Sequence, residues 1–296
     1  MRILVTGRDG QVARSLVAKA AQKADIEILC IGRPEFDLAQ RQTIIDAVAE
    51  AEPDVIVSAA AYTAVDQAED EPSLAFEINA HGAEAVASAA QRCGVPVVHL
   101  STDYVFSGDS DEPYTEEDEP APGCVYGRSK LQGEKLVAAA NPKHVILRTA
   151  WVYSPFGKNF VKTMLGLAGQ RESISVVADQ IGNPTSALDI ADAILCVIDR
   201  MGAAQEADLY GLYHLAGTGD ASWSTFAQTI FSTSRECGGP TARVIDIPSD
   251  DFPTKARRPP NSRLSSLKFE RNFGYSLPHW RLSLAEVVQQ LVRSTG

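Results

Sequence analysis

The chain begins MRILVTGRDGQVARSL (residues 1–16), and this opening combines an apolar run, a glycine turn and an amphipathic segment. Residues 2–6 have the length and composition of a buried strand. Gly7 permits a tight turn, and Gly10 lets backbone N–H groups approach a pyrophosphate at the start of the following helix. A strand, a glycine turn and a helix in this order are typical of the first unit of a dinucleotide-binding domain.

The same alternation continues through the first half of the chain. It predicts further strands at residues 26–30, 55–58, 96–101 and 145–148, separated by helices at 11–23, 41–51, 73–92 and 126–140. Short apolar strands that alternate with amphipathic helices indicate a parallel sheet covered on both faces. We therefore predict an α/β fold, a doubly wound parallel sheet of the Rossmann type, with a smaller α/β substrate lobe.

The second half of the chain changes in texture. It predicts strands at residues 174–177, 212–215 and 243–247 and helices at 187–200, 222–235 and 283–293. We predict a dinucleotide-binding domain at residues 1–150 and mainly a sugar-nucleotide lobe at residues 151–296. Residues 187–215 are expected to return to the large sheet.

Composition excludes several classes of protein. The 296 residues are 45% hydrophobic and 22% charged, as in an ordinary globular protein, and the net charge of −11 argues against a nucleic-acid partner. No apolar run is long enough for a membrane span and no signal peptide is evident, so we expect a cytoplasmic protein without a membrane partner. Five scattered cysteines predict free thiols, and the histidines form no spaced cluster, so no metal site is predicted.

The cofactor site is predicted where strands end at their carboxyl side. Arg33 follows the second strand, where a carboxylate would bind the ribose of NAD, and an arginine there favours the 2′-phosphate of NADPH. NADH stays possible because Glu35 is nearby. The full set of predicted cofactor contacts is Gly7, Gly10, Gln11, Val12, Arg33, Asp37, Leu38, Ala60, Ala61, Tyr62, Tyr126 and Lys130.

The catalytic candidates are Thr102, Tyr126 and Lys130. Tyr126 and Lys130 are four residues apart, so they share one face of a helix. A positive charge beside a phenol lowers its pKa, and we expect Lys130 to make Tyr126 a usable proton donor in this way. Thr102 ends the preceding strand and is expected to hydrogen-bond the same carbonyl oxygen.

Six strings resemble the dTDP-4-dehydrorhamnose reductase family within the extended short-chain dehydrogenase/reductases. They are SAAAYTAVDQAE (58–69), STDYVFSG (101–108), YGRSKLQGE (126–134), RTAWVY (148–153), DQIGNPT (179–185) and RPPNSRL (258–264). The resemblance implies NADPH-dependent reduction of the 4-keto group of dTDP-4-dehydro-L-rhamnose to give dTDP-L-rhamnose. It implies a dTDP-sugar as the binding partner.

The substrate contacts that follow from the resemblance are Thr102, Asp103, Trp151, Asn183, Arg258 and Asn261. Trp151 is expected to form an apolar wall for the deoxysugar, although a core position fits its composition equally well. Arg258 suits a diphosphate because guanidinium binds phosphate oxygens in a fork. Asn261 has the alternative of capping local backbone.

One position departs from the family. Some members dimerise through Mg²⁺ held by interface glutamates, one of them on the first helix, and this position is Ser15 here. A Mg²⁺ bridge is therefore doubtful, and a monomer or weak homodimer is expected.

Two other functions stay open at this point. One is a different sugar-nucleotide reductase, epimerase or dehydratase on the same scaffold, although a dehydratase would need a second acid where Thr102 is followed only by Asp103. The other is a catalytically silent nucleotide-binding regulatory subunit, which has no need of an intact set of Thr102, Tyr126 and Lys130.

Overall fold

The computed structural model describes residues 1–21, 23–203 and 209–294. Its strands are β1 Arg2–Thr6, β2 Glu27–Ile31, β3 Val55–Ser58, β4 Val97–Thr102, β5 His144–Thr149, β6 Val152–Tyr153, β7 Ser173–Val177, β8 Ile181–Gly182, β9 Thr185–Ser186, β10 Gly211–His214, β11 Ala221–Ser222 and β12 Arg243–Ile247. Its α-helices are α1 Gln11–Ala20, α2 Arg41–Ala51, α3 Val65–Ala68, α4 Pro72–Phe76, α5 Ala83–Arg92, α6 Val125–Ala140, α7 Phe160–Ala168, α8 Ala187–Ala203, α9 Trp223–Glu236, α10 Leu267–Phe273 and α11 Trp280–Arg293.

A parallel sheet in the order β10-β5-β4-β3-β1-β2 forms the centre of the fold. The strand order reverses beside β1, whose neighbours are β2 on one side and β3 on the other. Ligands of doubly wound sheets bind at such a switch point, outside the carboxyl ends of the strands. The predicted fold class is confirmed.

Helices cover both faces of this sheet, each through its apolar stripe. On one face α1 and α8 bury side chains such as Leu16 and Ile194 against β1 and β5. On the other, α2, α5 and α6 bury Ile44, Val86 and Val137. Because both faces are covered, the central strands read as continuous apolar runs, which is why the sequence shows them clearly.

The late part of the chain contributes to two bodies of structure. Strand β10 pairs in parallel with β5 at the edge of the large sheet, with Gly211 opposite Val145. In contrast, α7, α9 and α11 pack with the parallel pair β7 and β12 around Phe226 and Trp280. The division at residue 150 stays a prediction. Residue 22 of the predicted first helix and residues 204–208 of the predicted return segment lie outside the described residues.

Two predicted helices differ in the structure. The helix predicted at 11–23 ends at Ala20, before the polar residues ahead of β2. The helix predicted at 73–92 is divided into α4, a π-helical segment Glu77–Gly82, and α5. The π segment has a local physical reason, because its Asn79 binds the backbone of Tyr62 through both amide atoms. Its last residue, Gly82, lies so close to the Leu38 carbonyl oxygen that a Cβ would sit 2.5 Å from it.

Two glycines let α6 approach its neighbours at backbone distance. A Cβ on Gly127 would lie 2.1 Å from the Tyr104 carbonyl oxygen, and one on Gly133 would lie 2.1 Å from the Asn79 carbonyl oxygen. Real side chains do not fit at such distances, and the facing atoms are backbone that cannot rotate away. These two residues therefore fix the separation between α6 and the elements that carry Tyr104 and Asn79.

Gly133→Ala is expected to lower the free energy of unfolding by about 2 kcal/mol or more, because the added methyl meets backbone. Gly166→Ala is the matched control, since Gly166 is also helical but a Cβ there meets nothing within 4 Å. That control is expected to be neutral or to stabilise by up to about 1 kcal/mol. Urea denaturation measures both, and equal effects would contradict the close approach of α6.

Candidate active site

The first glycine turn lies against the end of β3. Gly7 has a φ of 97°, and a Cβ on it would come within 3.3 Å of the Ala60 Cβ. The Thr6 hydroxyl accepts hydrogen bonds from the N–H groups of Ala59 and Ala60 at 3.0 and 2.9 Å, which joins the ends of β1 and β3. Only a glycine fits this turn without strain.

The amino terminus of α1 suits an anion. Gly10 precedes the helix with no side-chain cap, and no acidic residue occupies the first turn. Uncapped backbone N–H groups and the positive end of the helix dipole favour a phosphate at such a position. The turn could therefore hold the pyrophosphate of a dinucleotide.

Arg33 is exposed, and its neighbour Glu35 is paired elsewhere. The Arg8 guanidinium binds the Glu35 carboxylate at 3.1 Å, and this contact contributes to lowering the pKa of Glu35, after its own backbone hydrogen bond. No carboxylate of the described chain pairs with Arg33. Sequence reasoning placed Glu35 beside Arg33 and missed Arg8, which lies in the glycine turn and gave no signal of its own.

Gln11 and Val12 use their side chains within the protein. The Gln11 amide oxygen accepts hydrogen bonds from Ser154 Oγ at 2.9 Å and Asn159 Nδ2 at 3.0 Å. Val12 is buried in the core against the sheet. The structure thus leaves their backbone N–H groups, rather than their side chains, facing the predicted phosphate site.

The other cofactor candidates have mixed surroundings. The Asp37 carboxylate accepts a hydrogen bond from the Ala39 N–H at 3.0 Å, and Leu38 is buried beside Gly82. Tyr62 donates its hydroxyl to Glu71 at 2.7 Å, and this hydrogen bond raises the pKa of Tyr62 to about 12. Ala60 and Ala61 are half-buried at the end of β3. Roles in cofactor binding stay predictions for all of these residues.

Thr102 and Tyr126 converge at the end of β4. Thr102 is the last residue of the strand and caps the short 3₁₀ turn Asp103–Val105 by accepting from the Tyr104 N–H at 3.2 Å. Helix α6 begins at Val125, after Cys124 caps it through Sγ, and this places Tyr126 in its first turn. Thr102 and Tyr126 are neighbours here, and the Thr102 hydroxyl acts to lower the pKa of the Tyr126 phenol. The rings of Tyr104 and Tyr126 meet edge to face at 5.6 Å.

The pKa of Tyr126 does not follow the sequence-based expectation. We expected Lys130 to lower it, but burial of the phenol raises it above the ordinary value, and the neighbouring Thr102 hydroxyl only partly opposes this. Desolvation disfavours the phenolate, and the sequence gave no measure of burial. Burial of Tyr126 therefore favours its protonated form.

Lys130 is buried beneath this site. Its ammonium donates to the Leu100 carbonyl oxygen at 2.6 Å and lies 3.4 Å from His99 Nε2. Burial lowers the pKa of Lys130 to about 8, with Glu134 acting in the opposite direction. The pKa of His99 is held well below its ordinary value, first by burial and then by Lys130. Sequence reasoning missed His99, because one histidine inside an apolar strand carries no motif.

Asp103 is a buried carboxyl group beside Thr102. Its Oδ1 accepts from the Thr102 hydroxyl at 2.9 Å, and its Oδ2 is buried without a partner in the described structure. Burial raises the pKa of Asp103 to about 7, while the hydrogen bond from Thr102 acts to lower it. Burial therefore favours the protonated form of this carboxyl group.

Trp151 occupies a constrained position after β5. Its φ of 46° is in the left-handed region, which is strained for a large side chain. Its indole stacks on Trp223 at 3.6 Å and donates Nε1–H to Ser262 Oγ at 3.1 Å. Gly182 lies so close that a Cβ there would be 2.5 Å from the ring. The indole is therefore held in one orientation. It is half-buried at the border of the apolar cluster around Phe226 and Trp280.

Three of the predicted substrate residues, Arg258, Asn183 and Asn261, make contacts that hold loops in place. The Arg258 guanidinium binds Asp66 at 3.0 Å, and its Nε is buried without a partner in the described structure. Asn183 joins the backbone of Gly219 and Leu264 through both amide atoms. Asn261 donates to the backbone of residues 110 and 112, which are distant in the chain, and its amide oxygen accepts from the Arg263 N–H, which is the local role that the sequence left open. Direct contact of these three residues with substrate stays a prediction.

A buried ion pair lies one helical turn beyond Lys130. Arg148 at the end of β5 binds Glu134 with two hydrogen bonds, at 2.9 and 2.7 Å, and Ser101 donates to the same carboxylate at 2.5 Å. Sequence reasoning missed this group. The spacing of Tyr126, Lys130 and Glu134, each four residues apart on one helix face, is the signal that would have found it.

Metal and membrane features are absent from the described residues. Among residues 1–21, 23–203 and 209–294, no three or more His, Cys, Asp or Glu side chains are grouped to hold a metal ion. Ser15, the position that the family comparison linked to a metal bridge, is fully buried. None of the described helices has both the length and the apolarity to cross a bilayer.

The switch-point crevice, with Thr102 and Tyr126 at its edge, is that of a short-chain dehydrogenase/reductase, a class of oxidoreductase. A profile for the family described as RmlD substrate binding domain matches residues 1–293. A dTDP-4-dehydrorhamnose reductase of Sinorhizobium fredii is 53% identical over 292 residues, 99% of this chain and 98% of the relative. The chain belongs to the dTDP-4-dehydrorhamnose reductase family.

Solved structures agree with this placement. A dTDP-4-dehydrorhamnose reductase from Clostridium acetobutylicum aligns with a TM-score of 0.90 at 38% identity, covering 98% of this chain and 99% of that one. One from Bacillus anthracis, solved in complex with NADP, aligns with a TM-score of 0.89 at 38% identity over the same shares of the two chains.

Asp103→Asn is expected to change how stability depends on pH. Because the native pKa is raised to about 7, the folded chain keeps a proton that the unfolded chain loses near pH 4. Wild-type stability therefore falls as pH rises from about 4 to about 7, by at most about 4 kcal/mol. The variant is expected to lack this fall.

Urea denaturation at pH 5 and pH 8 measures the difference in slope. Asp251→Asn, at an exposed position, is the control and should keep the wild-type dependence. If Asp103→Asn shows the wild-type fall as well, Asp103 does not take up a proton in the native state near neutral pH.

Proposed function

We propose that this protein reduces the 4-keto group of dTDP-4-dehydro-L-rhamnose to give dTDP-L-rhamnose, with NADPH as the reductant. The observation that carries the proposal is the convergence of Thr102 and Tyr126 at the carboxyl end of β4, with Lys130 one turn along the same helix. The named activity of relatives 53% and 38% identical supports this choice of substrate.

Three features support NADPH as the cofactor. Gly7, with its φ of 97°, forms the tight turn that leads to α1, and the uncapped start of that helix suits a pyrophosphate. Arg33 is exposed and unpaired with any described carboxylate, so it is available for a 2′-phosphate. The Bacillus anthracis relative was solved with NADP. When bound, the reduced nicotinamide supplies the hydride for the carbonyl carbon.

Residues of the chain itself bind the oxygen of that carbonyl and supply its proton. The Thr102 hydroxyl turns its one proton from Asp103 Oδ1 to this oxygen and so polarises it, and Tyr126 gives its own proton to the oxygen as negative charge develops. The raised pKa of Tyr126 is compatible with this role, because an alkoxide is a far stronger base than a phenolate. The Lys130 ammonium then stabilises the phenolate that remains, until solvent returns the proton.

The remaining substrate contacts follow from the walls of the crevice. We place the deoxysugar against the Trp151 indole, whose orientation Trp223 and Ser262 fix. Asp103 contacts sugar hydroxyls, and Arg258 turns its guanidinium to the diphosphate. Asn183 and Asn261 keep the loops of the nucleotide side in place through their backbone hydrogen bonds.

Tyr126→Phe is expected to lower the rate of NADPH oxidation by about 10²- to 10⁴-fold with freshly made dTDP-4-dehydro-L-rhamnose, because the proton donor is lost. Cofactor affinity should be kept. Tyr210→Phe is the control, since Tyr210 directly precedes β10 and so lies at the amino ends of the parallel strands, away from the carboxyl end of β4. Absorbance at the NADPH band measures turnover, and an active Tyr126→Phe enzyme would remove the proton-donor role.

Arg33→Ala is expected to weaken NADPH binding by roughly tenfold or more while leaving NADH binding nearly unchanged, since only NADPH has a 2′-phosphate. Fluorescence titration of both cofactors measures this. Arg171→Ala, at an exposed position of the second half of the chain, should change neither. An equal loss for both cofactors would show that Arg33 does not read the 2′-phosphate.

A further inference from the structure

A line of three buried polar groups runs from β3 to α6 beneath the active site. Ser58 and His99 lie side by side on β3 and β4, where they are register partners. His99 Nδ1 is 3.0 Å from Ser58 Oγ, and His99 Nε2 is 3.4 Å from Lys130 Nζ. All three side chains are at most 3% exposed. Buried polar groups are expensive unless each has a partner, so these contacts need an account.

Only one assignment of protons to the His99 imidazole satisfies these contacts. An ammonium group has three protons and no lone pair, so it can only donate to His99 Nε2. Nε2 must then carry a lone pair, and the imidazole proton must sit on Nδ1, where it is donated to Ser58 Oγ. A second proton on the imidazole would face the ammonium directly, and burial already keeps the pKa of His99 well below its ordinary value. His99 is thus a neutral Nδ1–H tautomer.

The ammonium has two acceptors inside the protein. The Leu100 carbonyl oxygen receives one proton at 2.6 Å, and His99 receives the second. Both acceptors belong to β4, on the side of Lys130 that faces the sheet. Two fixed donations set the direction of the third N–H bond.

The other charged groups around Lys130 are balanced or distant. On its own helix Glu134 favours the charged form, but Arg148 of β5 neutralises that carboxylate. The π segment packed on α6 presents a neutral Asn79 to Ser129. Its titratable residues Glu77 and His81 are exposed, and Glu84 of α5 is paired with Arg41. At the site itself, the titratable groups are the Asp103 carboxyl group and the Tyr126 phenol, which interact electrostatically.

We propose that His99 is a positioning residue for Lys130, which keeps the lysine charged and aims its third proton at the bound cofactor, with Ser58 fixing the imidazole tautomer. The inference rests on the proposed function for the role of Lys130 in holding the nicotinamide ribose and stabilising the Tyr126 phenolate. Without a lone pair at this position, the buried ammonium keeps one protein acceptor and gives up its proton at lower pH.

The variants separate the lone pair from the volume of the side chain. His99→Leu removes the acceptor, whereas His99→Gln puts an amide oxygen in reach of Lys130 and an amide N–H in reach of Ser58. His144→Gln is the control, because the imidazole of this half-buried histidine at the start of β5 hydrogen-bonds the nearby Asn141 carbonyl oxygen. Wild type and each variant are titrated with NADPH by fluorescence from pH 6 to pH 10.

NADPH binding by wild type is expected to weaken as pH rises through about 8, where Lys130 loses its proton. In His99→Leu this alkaline limb should move about one pH unit lower, which is a roughly tenfold loss of affinity on the limb. His99→Gln and His144→Gln should keep the wild-type limb. A limb that stays in place in His99→Leu overturns the proposal, whereas a loss of affinity equal at every pH shows a structural role only.

A second measurement does not depend on folding of the leucine variant. Long-range ¹H–¹⁵N correlation spectra of the wild-type protein, labelled at histidine, should show two buried imidazoles as neutral Nδ1–H tautomers from pH 5 to pH 9. One is His214, whose Nδ1 lies 3.0 Å from the Tyr114 carbonyl oxygen, and the other, missing in His99→Gln, is His99. An Nε2–H tautomer, or a charged imidazole, for the signal that His99→Gln loses overturns the proposal.

The two proposals can fail separately. If wild type does not turn over dTDP-4-dehydro-L-rhamnose while the NADPH limb still moves in His99→Leu, the substrate assignment fails and the role of His99 stands. If wild type is active and its limb is insensitive to His99, the reverse holds.

Discussion

The separation between α6 and the end of β4 is the constraint on which the site depends. Gly127 and Gly133 allow the helix backbone to reach van der Waals distance of the Tyr104 and Asn79 carbonyl oxygens. Tyr126 and Lys130 lie on this same stretch of helix, so the depth of the contact sets how far the phenol and the ammonium extend toward β4. A helix held further out would take Tyr126 away from Thr102 and leave the Leu100 carbonyl oxygen without its hydrogen bond from Lys130.

Bringing α6 so close also takes charge out of water, and the structure meets that cost with paired groups. Lys130 has two acceptors, and Glu134 has a two-fold bond to Arg148 and a third from Ser101. A buried ion pair contributes little net stability, but loss of either partner is strongly destabilising. These paired polar groups therefore hold α6 and β4 in fixed positions beneath the active site. A fixed arrangement suits catalysis, because the groups that stabilise the developing charge need not move during the reaction.

Much of the fold was predictable because it depends on local signals. Buried parallel strands read as apolar runs, and the glycine turn that places Gly7 against Ala60 is visible at the first βα junction. Thr102, Tyr126 and Lys130 were predicted as catalytic residues from their spacing and from the resemblance to a family, and their roles stay predictions. Burial was not predictable, since it depends on distant segments, and this is why the direction of the Tyr126 pKa shift was wrong. His99 and Trp223 also gave no local signal, because their partners come from other elements.

Strand β10 and helix α8 give the molecule an order of assembly. The sheet that begins at residue 2 receives its edge strand only from Gly211–His214, and α8 supplies much of the apolar cover that α1 leaves open. During synthesis the amino-terminal half therefore emerges with β5 unpaired on one side and part of one face uncovered. Until about residue 214 has left the ribosome, the edge of β5 exposes unpaired backbone N–H and C=O groups. We expect aggregation and chaperone binding to be most frequent in that state.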